Sequence, residues 1–520
     1  MMRRPALLNA LLFLIAPALA CQMRDARGSE GSAAEAVAVI SPSAFGARVG
    51  ALAHDSMRGR ATPSRELDEA AEWIAAEFRR FGLRPAGATG SFVERYAVER
   101  SQLDEINSSG LIEGAASVRL AMKRDFLVIP YEVPRLGTVE GEVIVLAAPQ
   151  AEAGDPLAGV DLRGKVVVQY SDRTDARVAL ALRSEWGERR GLAALVWVTR
   201  AGDDVWGNWA SRWNPTRFQL ADGTRGIPIV AVRAQVAERA FRAAGVDLAA
   251  LAASGRREAV VRRVPDLTAR FTLAPRVLER YEAPNVAAVL RGSDPALRDE
   301  YVVFSAHMDH VGVAGPGSGC RARNGDSICN GADDDASGTA GVISLAEAFA
   351  ALDQAPGRSL IFLTVSGEEQ GLWGSEYFTE HPPVPIERIV ADINLDMIGR
   401  NWSDTIVAIG RAQSDLGATL DRVNAAHPEL RMTAVDDLWP QERFYYRSDH
   451  YNFARRGVPI LFFFNGEHED YHQPSDHPDK IDTEKASRIV KLLFWLGLEV
   501  ANAERRPQWD ETAYREVVGR

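Results

Sequence analysis

At 520 residues the chain exceeds what one hydrophobic core usually serves, so more than one domain is expected, and a hydrophobic content of 46% suffices for large cores. The formal charge of −11 becomes −13 if residues 1–20 are removed, because that segment carries Arg3 and Arg4 and no acid. A surface of that sign repels phosphate backbones and argues against nucleic acid as a partner.

Residues 1–20 read as an export signal. Arg3 and Arg4 precede an apolar run from Ala6 to Ala20 that is too short to cross a bilayer and ends in Ala18-Leu19-Ala20, the small-x-small pattern of signal cleavage. The expected location is outside the cytoplasm, periplasmic or secreted. Cys21 follows at once, and Leu19-Ala20-Cys21 is also similar to the end of a bacterial lipoprotein signal, so a lipid anchor at Cys21 on the outer membrane is an equal alternative. No other membrane contact is expected. Residues 21–36 are small and polar without periodicity and are expected to form a disordered tether.

A helix should open the folded part, because Leu67, Ala71, Ile74, Phe78 and Phe81 recur at steps of four and three and Gly82 follows as a stop. From about 128 to 259 the chain changes character: short β-like runs at 143–146, 165–169, 194–198 and 227–232 are separated by Gly, Pro and Asp turns, with a helical stretch near 175–186 and no histidine. This reads as a separate α/β module over residues 128–265, inserted into a discontinuous domain made of 37–127 and 266–505, with 506–520 as a C-terminal tail. Trp206, Trp209 and Trp213 in that module either line an entrance or form its core.

Apolar runs at 301–305, 360–365, 389–395 and 459–464 suit buried strands. Segments of helical period lie between them, such as Ala340, Ile343, Ala346, Phe349 and Ala350. Alternation of this kind predicts an α/β fold, with a mostly parallel mixed sheet sandwiched by helices. A last helix over 484–501 carries Ile489, Leu492, Leu493, Leu496 and Val500 on one stripe and should dock on that sheet.

The chemistry sits where these strands end. His307 and Asp309 follow the first run, Glu368 and Glu369 the second, Asp396 closes the third, His472 comes after the fourth, and Asp334 precedes a helix. In an open α/β sheet the loops at the carboxyl ends of the strands converge, so these side chains are expected to meet. Two imidazoles, three carboxylates and an adjacent glutamate are what a pair of divalent cations needs as ligands plus a base. Cys320 and Cys329, the two cysteines besides Cys21, can close a short loop in an oxidising compartment; the alternative is two free thiols. Two cysteines without a nearby second pair do not make a structural zinc site.

His307-Met-Asp-His310, Asn330-Gly-Ala-Asp-Asp-Asp-Ala-Ser-Gly338, Gly367-Glu-Glu-Gln-Gly-Leu-Trp-Gly-Ser375, Asn394-Leu-Asp-Met-Ile-Gly399 and Tyr471-His-Gln-Pro-Ser-Asp476 resemble, in order, the motifs of the zinc metallopeptidase family M28. The stretches 161–168, 191–198 and 226–230 are similar to a protease-associated domain, the insert common in that family. The resemblance implies a phosphorylase/hydrolase-like zinc exopeptidase fold with a protease-associated α/β insert. It also implies two zinc ions per chain, for which other divalent metals could stand in. His307 and Asp396 would hold one ion, Glu369 and His472 the other, and Asp334 would bridge them. Glu368 is implied as general base, and Asp309 as the acceptor that orients His307. The peptide bond after the bridging aspartate is often cis in the family. The segment 445–453 resembles the family's substrate-contacting region, with Tyr446, Arg447 and His450 as candidates to hold a substrate carbonyl or oxyanion and Asp449 to orient a ligand. His54, His381, His427, His468 and His477 are read as outside the site. The implied activity is removal of N-terminal residues from peptides. Alternatives are a carboxypeptidase of the glutamate-releasing type, a glutaminyl cyclase-like enzyme of the same fold, or a non-catalytic receptor-like module.

Overall fold

The computed structural model describes residues 33–87, 90–129, 136–147, 156–171, 190–221, 226–255, 259–315 and 318–518. The export signal, Cys21 and the helical stretch expected near 175–186 lie outside the described residues. Among the described residues no helix is long and apolar enough to cross a membrane. The described residues fall into two compact units, one within residues 33–96 and 282–518 and the other within residues 97–281.

The larger unit is organised by a mixed sheet whose strands run in the order Thr433–Val435, Thr405–Ile409, Ile460–Phe464, Ile389–Asp396, Tyr301–His307, Ser359–Val365 and then Pro275–Leu290 from residue 282 onward. The four central strands are parallel to one another, while Thr405–Ile409 and Pro275–Leu290 pair antiparallel at the flanks. Every residue of those four strands is buried, as a parallel sheet covered on both faces requires. The two-residue period then sorts side chains by face. Val302, Phe304, Leu360, Phe362, Leu461 and Phe463 enter one core, and Val303, Ile361, Leu363, Phe462 and Phe464 enter the other.

Helices Arg65–Arg80, Gly338–Ala350 and Thr483–Asn502 supply the first core. Arg65–Arg80 starts where the Ser64 hydroxyl accepts from the Leu67 amide, buries Leu67, Ala71, Ile74 and Phe78, and ends before Gly82 at φ 79°. Thr483–Asn502 is capped by Asp482 and buries the expected stripe from Ile489 to Val500. Residues 21–32 of the tether expected over 21–36 lie outside the described residues, and the remainder is not a tether. Residues 33–37 are helical, and Ala33 and Ala36 are buried in the first core, because alanines on one helical face can be covered although the segment has no long apolar side chain. The tail is also anchored: Trp509 donates to the Gly457 carbonyl at 2.9 Å, and Glu511–Val518 is a helix.

The smaller unit holds an eight-stranded sheet in the order Ser117–Ala121, Ser109–Glu113, Val260–Leu273, Gly137–Ala147, Val166–Ser171, Ala194–Thr199, Ile229–Arg233 and Phe126–Val128. All four expected strands are present. The boundaries differ from 128 and 265. Ser109–Glu113 pairs antiparallel with Val260–Leu273, with Thr268 opposite Glu113, and Phe126–Val128 pairs with Ile229–Arg233, so the unit extends over residues 97–281. Trp206 is buried beside Trp197, Trp209 stacks on Trp213 at 4.6 Å, and Trp206 donates to the Lys123 carbonyl at 2.7 Å. These tryptophans form the unit's own core.

Candidate metal centre

His307 and Asp396 are the last residues of adjacent parallel strands, and Glu368 and Glu369 stand just beyond Ser359–Val365, on the other side of Tyr301–His307. Asp334 lies in the turn 332–337 ahead of helix Gly338–Ala350. That turn begins at Gly331, φ 60°, where a Cβ would fall 2.2 Å from the Asp334 carbonyl oxygen and 2.5 Å from the His310 ring, so only glycine fits. The Asp334–Asp335 peptide bond is cis.

The five expected ligands converge. His307 Nε2 is 3.3 Å from Asp334 Oδ1 and 3.6 Å from Asp396 Oδ1, while His472 Nε2 is 3.2 Å from Asp334 Oδ2 and 3.1 Å from Glu369 Oε2. Asp334 thus offers one oxygen to each side. Two sets of potential ligand atoms result: His307, Glu368 and Asp396, and beside them His310, Asp334, Glu369 and His472. Asp334 Oδ2, Glu369 Oε1, Asp396 Oδ1 and His472 Nε2 are buried and have no hydrogen-bond partner. Buried polar atoms are nearly always satisfied, so converging lone pairs left in this state fit a bound cation. Carboxylate and imidazole donors without thiolate suit zinc and other borderline or hard divalent ions.

The electrostatics agree with the geometry. Burial alone would depress His307 and His472, but the surrounding carboxylates override it; His307 is held well above its ordinary range and His472 is raised to about 10. Burial pushes Glu368 well above the usual carboxylate range, and the charges of Glu369, Asp449 and Asp396 add to it against the opposing pull of His307. Glu368 keeps some open surface, yet protein surrounds its carboxyl closely enough to desolvate it. This excess of negative charge is the field that a dication would neutralise.

The three consecutive aspartates diverge in role. Asp333 Oδ1 accepts from the Gly399 amide at 2.6 Å. Asp335 accepts from the amides of His307, Gly338 and Met397, so one carboxylate ties three segments together. Asp476 Oδ2 accepts from the Asp333 and Asp334 amides at 2.9 and 3.3 Å and fixes the turn from the His472 side. Asp309 behaves differently from expectation. The oxygen nearest His307 Nδ1 is the Asp309 main-chain carbonyl at 3.2 Å, with the carboxylate at 3.7 Å. The carboxylate instead accepts from Thr62 Oγ1 and from the Gly367 and Glu368 amides, which holds the turn that presents Glu368.

In the 445–453 segment, Asp449 is buried and accepts from Ser375 Oγ at 2.5 Å; burial, together with the Asp309 and Asp396 charges, raises its carboxyl to about 7. His450 is fully buried, stacks on Phe462 at 4.2 Å and donates Nε2–H to the Tyr445 carbonyl, and burial lowers it to about 3. A neutral, fully enclosed imidazole of this kind is a core group, which differs from the expected role of holding a substrate oxygen. Arg447 pairs with Glu467 at 3.2 Å and lies over Phe444, and Arg443 lies over the Tyr446 ring.

His468 approaches Asp333 Oδ2 at 3.3 Å, outside the ligand cluster. Sequence reasoning missed His310 and Arg60. Arg60 is fully buried and donates to the carbonyls of Leu52, Met308, Asn330 and Gly331, bracing both site loops. Its partners are main-chain oxygens, which leave no trace in sequence. Cys320 and Cys329 form a disulfide with Cα atoms 5.8 Å apart, and Cys329 Sγ lies 3.7 Å from the His472 carbonyl oxygen.

Residues 285–496 match the profile of peptidase family M28, and all seven clustered side chains fall within that span. The matched segment lies wholly within the larger unit and is similar to peptidase family M28. The chain is 23% identical over 243 residues to a probable leucine aminopeptidase of Arthroderma otae, covering 44% of this chain and 61% of that protein. It is 25% identical over 188 residues to aminopeptidase YwaD of Bacillus subtilis, covering 34% and 39%. Among solved structures, an aminopeptidase from Aneurinibacillus sp. superposes with a TM-score of 0.46 at 19% identity, covering 90% of this chain and 96% of that one. The matched segment spans between two fifths and three fifths of the length of these two curated relatives.

Proposed function

We propose that this M28-like protein is an exported zinc aminopeptidase that binds two metal ions and removes N-terminal residues from peptides. The observation that carries the reading is the convergence of His307, Asp334, Glu369, Asp396 and His472 with Glu368 beside them. Divalent cations held there would supply Lewis acidity to a water and to the scissile carbonyl. Glu368, on the turn braced by Asp309, takes one proton from the attacking water and returns it to the leaving amine nitrogen as the carbon–nitrogen bond breaks. Asp334 divides its two oxygens between the sides and so fixes their separation.

The aminopeptidase reading, rather than the carboxypeptidase or cyclase one, draws on relatives named leucine aminopeptidase and aminopeptidase. Export draws on the signal-like first twenty residues and on the Cys320–Cys329 disulfide, which suits an oxidising compartment. The smaller unit is taken as a protease-associated-like module. Metal-loaded protein should release the chromophore from aminoacyl-p-nitroanilides and lose that activity to a chelator. Release from the carboxyl end of a peptide library would reject the aminopeptidase reading. A mature N-terminus at Met1 rather than near Cys21, read by mass spectrometry, would reject export through this signal.

A further inference from the structure

His310 is not among the ligands the motifs assign, yet the fold places it against them. It follows strand Tyr301–His307 by three positions, and its side chain is completely buried. Nδ1 lies 2.8 Å from Glu369 Oε1 and 3.6 Å from Asp334 Oδ2, and its ring meets the His472 ring edge-on at 5.5 Å. Despite the 2.8 Å approach, His310 Nδ1 and Glu369 Oε1 are both buried and neither makes a hydrogen bond of good geometry. An imidazole N–H aimed at the carboxylate would satisfy both atoms at that distance. Both are instead left unsatisfied in a group whose ligand atoms, with those of Asp334 and His472, all lie within 4.8 Å of one another, which is costly in a protein interior unless a cation occupies the space between them.

The spacing fits such an ion. Ligands about 2.0 to 2.2 Å from a tetrahedral zinc lie roughly 3.3 Å from one another. The contacts around this space, from His310 to Glu369 and Asp334 and from His472 to the same two residues, run from 2.8 to 3.6 Å. Gly331 packs flat against the His310 ring, where any Cβ would clash at 2.5 Å, so the backbone holds the imidazole in place.

We propose that His310 is a fourth protein ligand at the Asp334/Glu369/His472 site, so that the two halves of the centre are unequal. Four protein groups close the His310 side, as in structural zinc sites. On the other side His307, Asp334 and Asp396 leave a position open beside Glu368, as in catalytic ones. The proposal rests on the metal-binding reading above. It assigns the tighter ion to the His310 side and the exchangeable, reacting position to the His307 side.

The test is zinc K-edge X-ray absorption on the zinc-loaded full chain, which counts imidazoles per metal without relying on turnover. His310 adds one imidazole whatever the stoichiometry. With two ions the expected average is about one and a half imidazoles per zinc rather than one, and with a single ion in the His310 niche about two rather than one. In parallel, His310→Ala should weaken one class of zinc site by roughly 10- to 100-fold in chelator competition and leave the other class unchanged. One imidazole per zinc in the unmodified protein would overturn the proposal while leaving the metallopeptidase reading intact. A chain that binds no zinc would overturn both.

Discussion

In the larger unit the parallel strands Tyr301–His307 and Ile389–Asp396 end on an imidazole and a carboxylate that face further carboxylates. In the smaller unit Ala194–Thr199 and Ile229–Arg233 end on a hydroxyl and a guanidinium already engaged locally. Thr199 Oγ1 accepts from the Ala201 amide at 3.2 Å, and Arg233 pairs with Asp203 at 2.6 Å and lies over the Trp206 ring at 4.6 Å. Both sheets present strand ends, and both bury their central strands on two faces. Among the described residues, the ligand clusters occur only in the larger unit. A parallel sheet supplies a place where loops converge; chemistry follows only where those loops carry groups that cannot satisfy one another.

The contrast breaks most sharply at Glu368. Glu368→Gln should lower kcat on aminoacyl-p-nitroanilides by about 10²- to 10⁴-fold, with zinc content by elemental analysis unchanged. Retained turnover would remove Glu368 from the chemistry. In the smaller unit the equivalent blow is to packing. Trp206→Ala, at a buried ring with an engaged indole N–H, should cost about 3 to 5 kcal/mol in denaturant unfolding followed by a signal from that unit, and should leave bound zinc unchanged. Coupled loss of zinc would show that the units do not divide labour in this way.

Lys485 offers a finer probe of the larger unit. It is fully buried with its ammonium on the Arg400 carbonyl, and burial lowers its pKa to about 8. Between pH 8 and the ordinary lysine value near 10.5 the unfolded chain binds more protons than the folded one, so stability should rise with pH across that window. The gain is on the order of 2 to 3 kcal/mol. Lys485→Met should flatten the slope, and an unchanged slope in urea titrations at pH 8 and 10 would assign it to other groups. The smallest effect is expected at the rim: Arg447 and Glu467 are both about half exposed, so Arg447→Ala should change stability by less than about 1 kcal/mol. A KM rise of tenfold or more in that variant would instead put Arg447 in contact with substrate.

The elements readable in advance were those with a strong local period. Helices Arg65–Arg80 and Thr483–Asn502 and the four central strands follow from apolar spacing and caps, while the five candidate ligands were named by the motif resemblance, four of them at or beyond the ends of those strands. The unit boundaries were not readable, because pairing of Ser109–Glu113 with Val260–Leu273 joins residues far apart in sequence. Nor was the burial of residues 33–36, whose alanines carry no apolar pattern yet fit against a core formed elsewhere.

Sequence alone determined the inventory at the centre, which side chains stand at the strand ends and in what order, because strand periodicity and turn glycines are local properties. Tertiary structure decided how those side chains are used. It turned the carboxylate of Asp309 toward the Glu368 turn and withdrew His450 into the core. It set Arg60 on four main-chain carbonyls and brought His310 within 2.8 Å of Glu369. The direction of a side chain and the dielectric around it depend on neighbours supplied by distant segments, and no spacing along the chain encodes them.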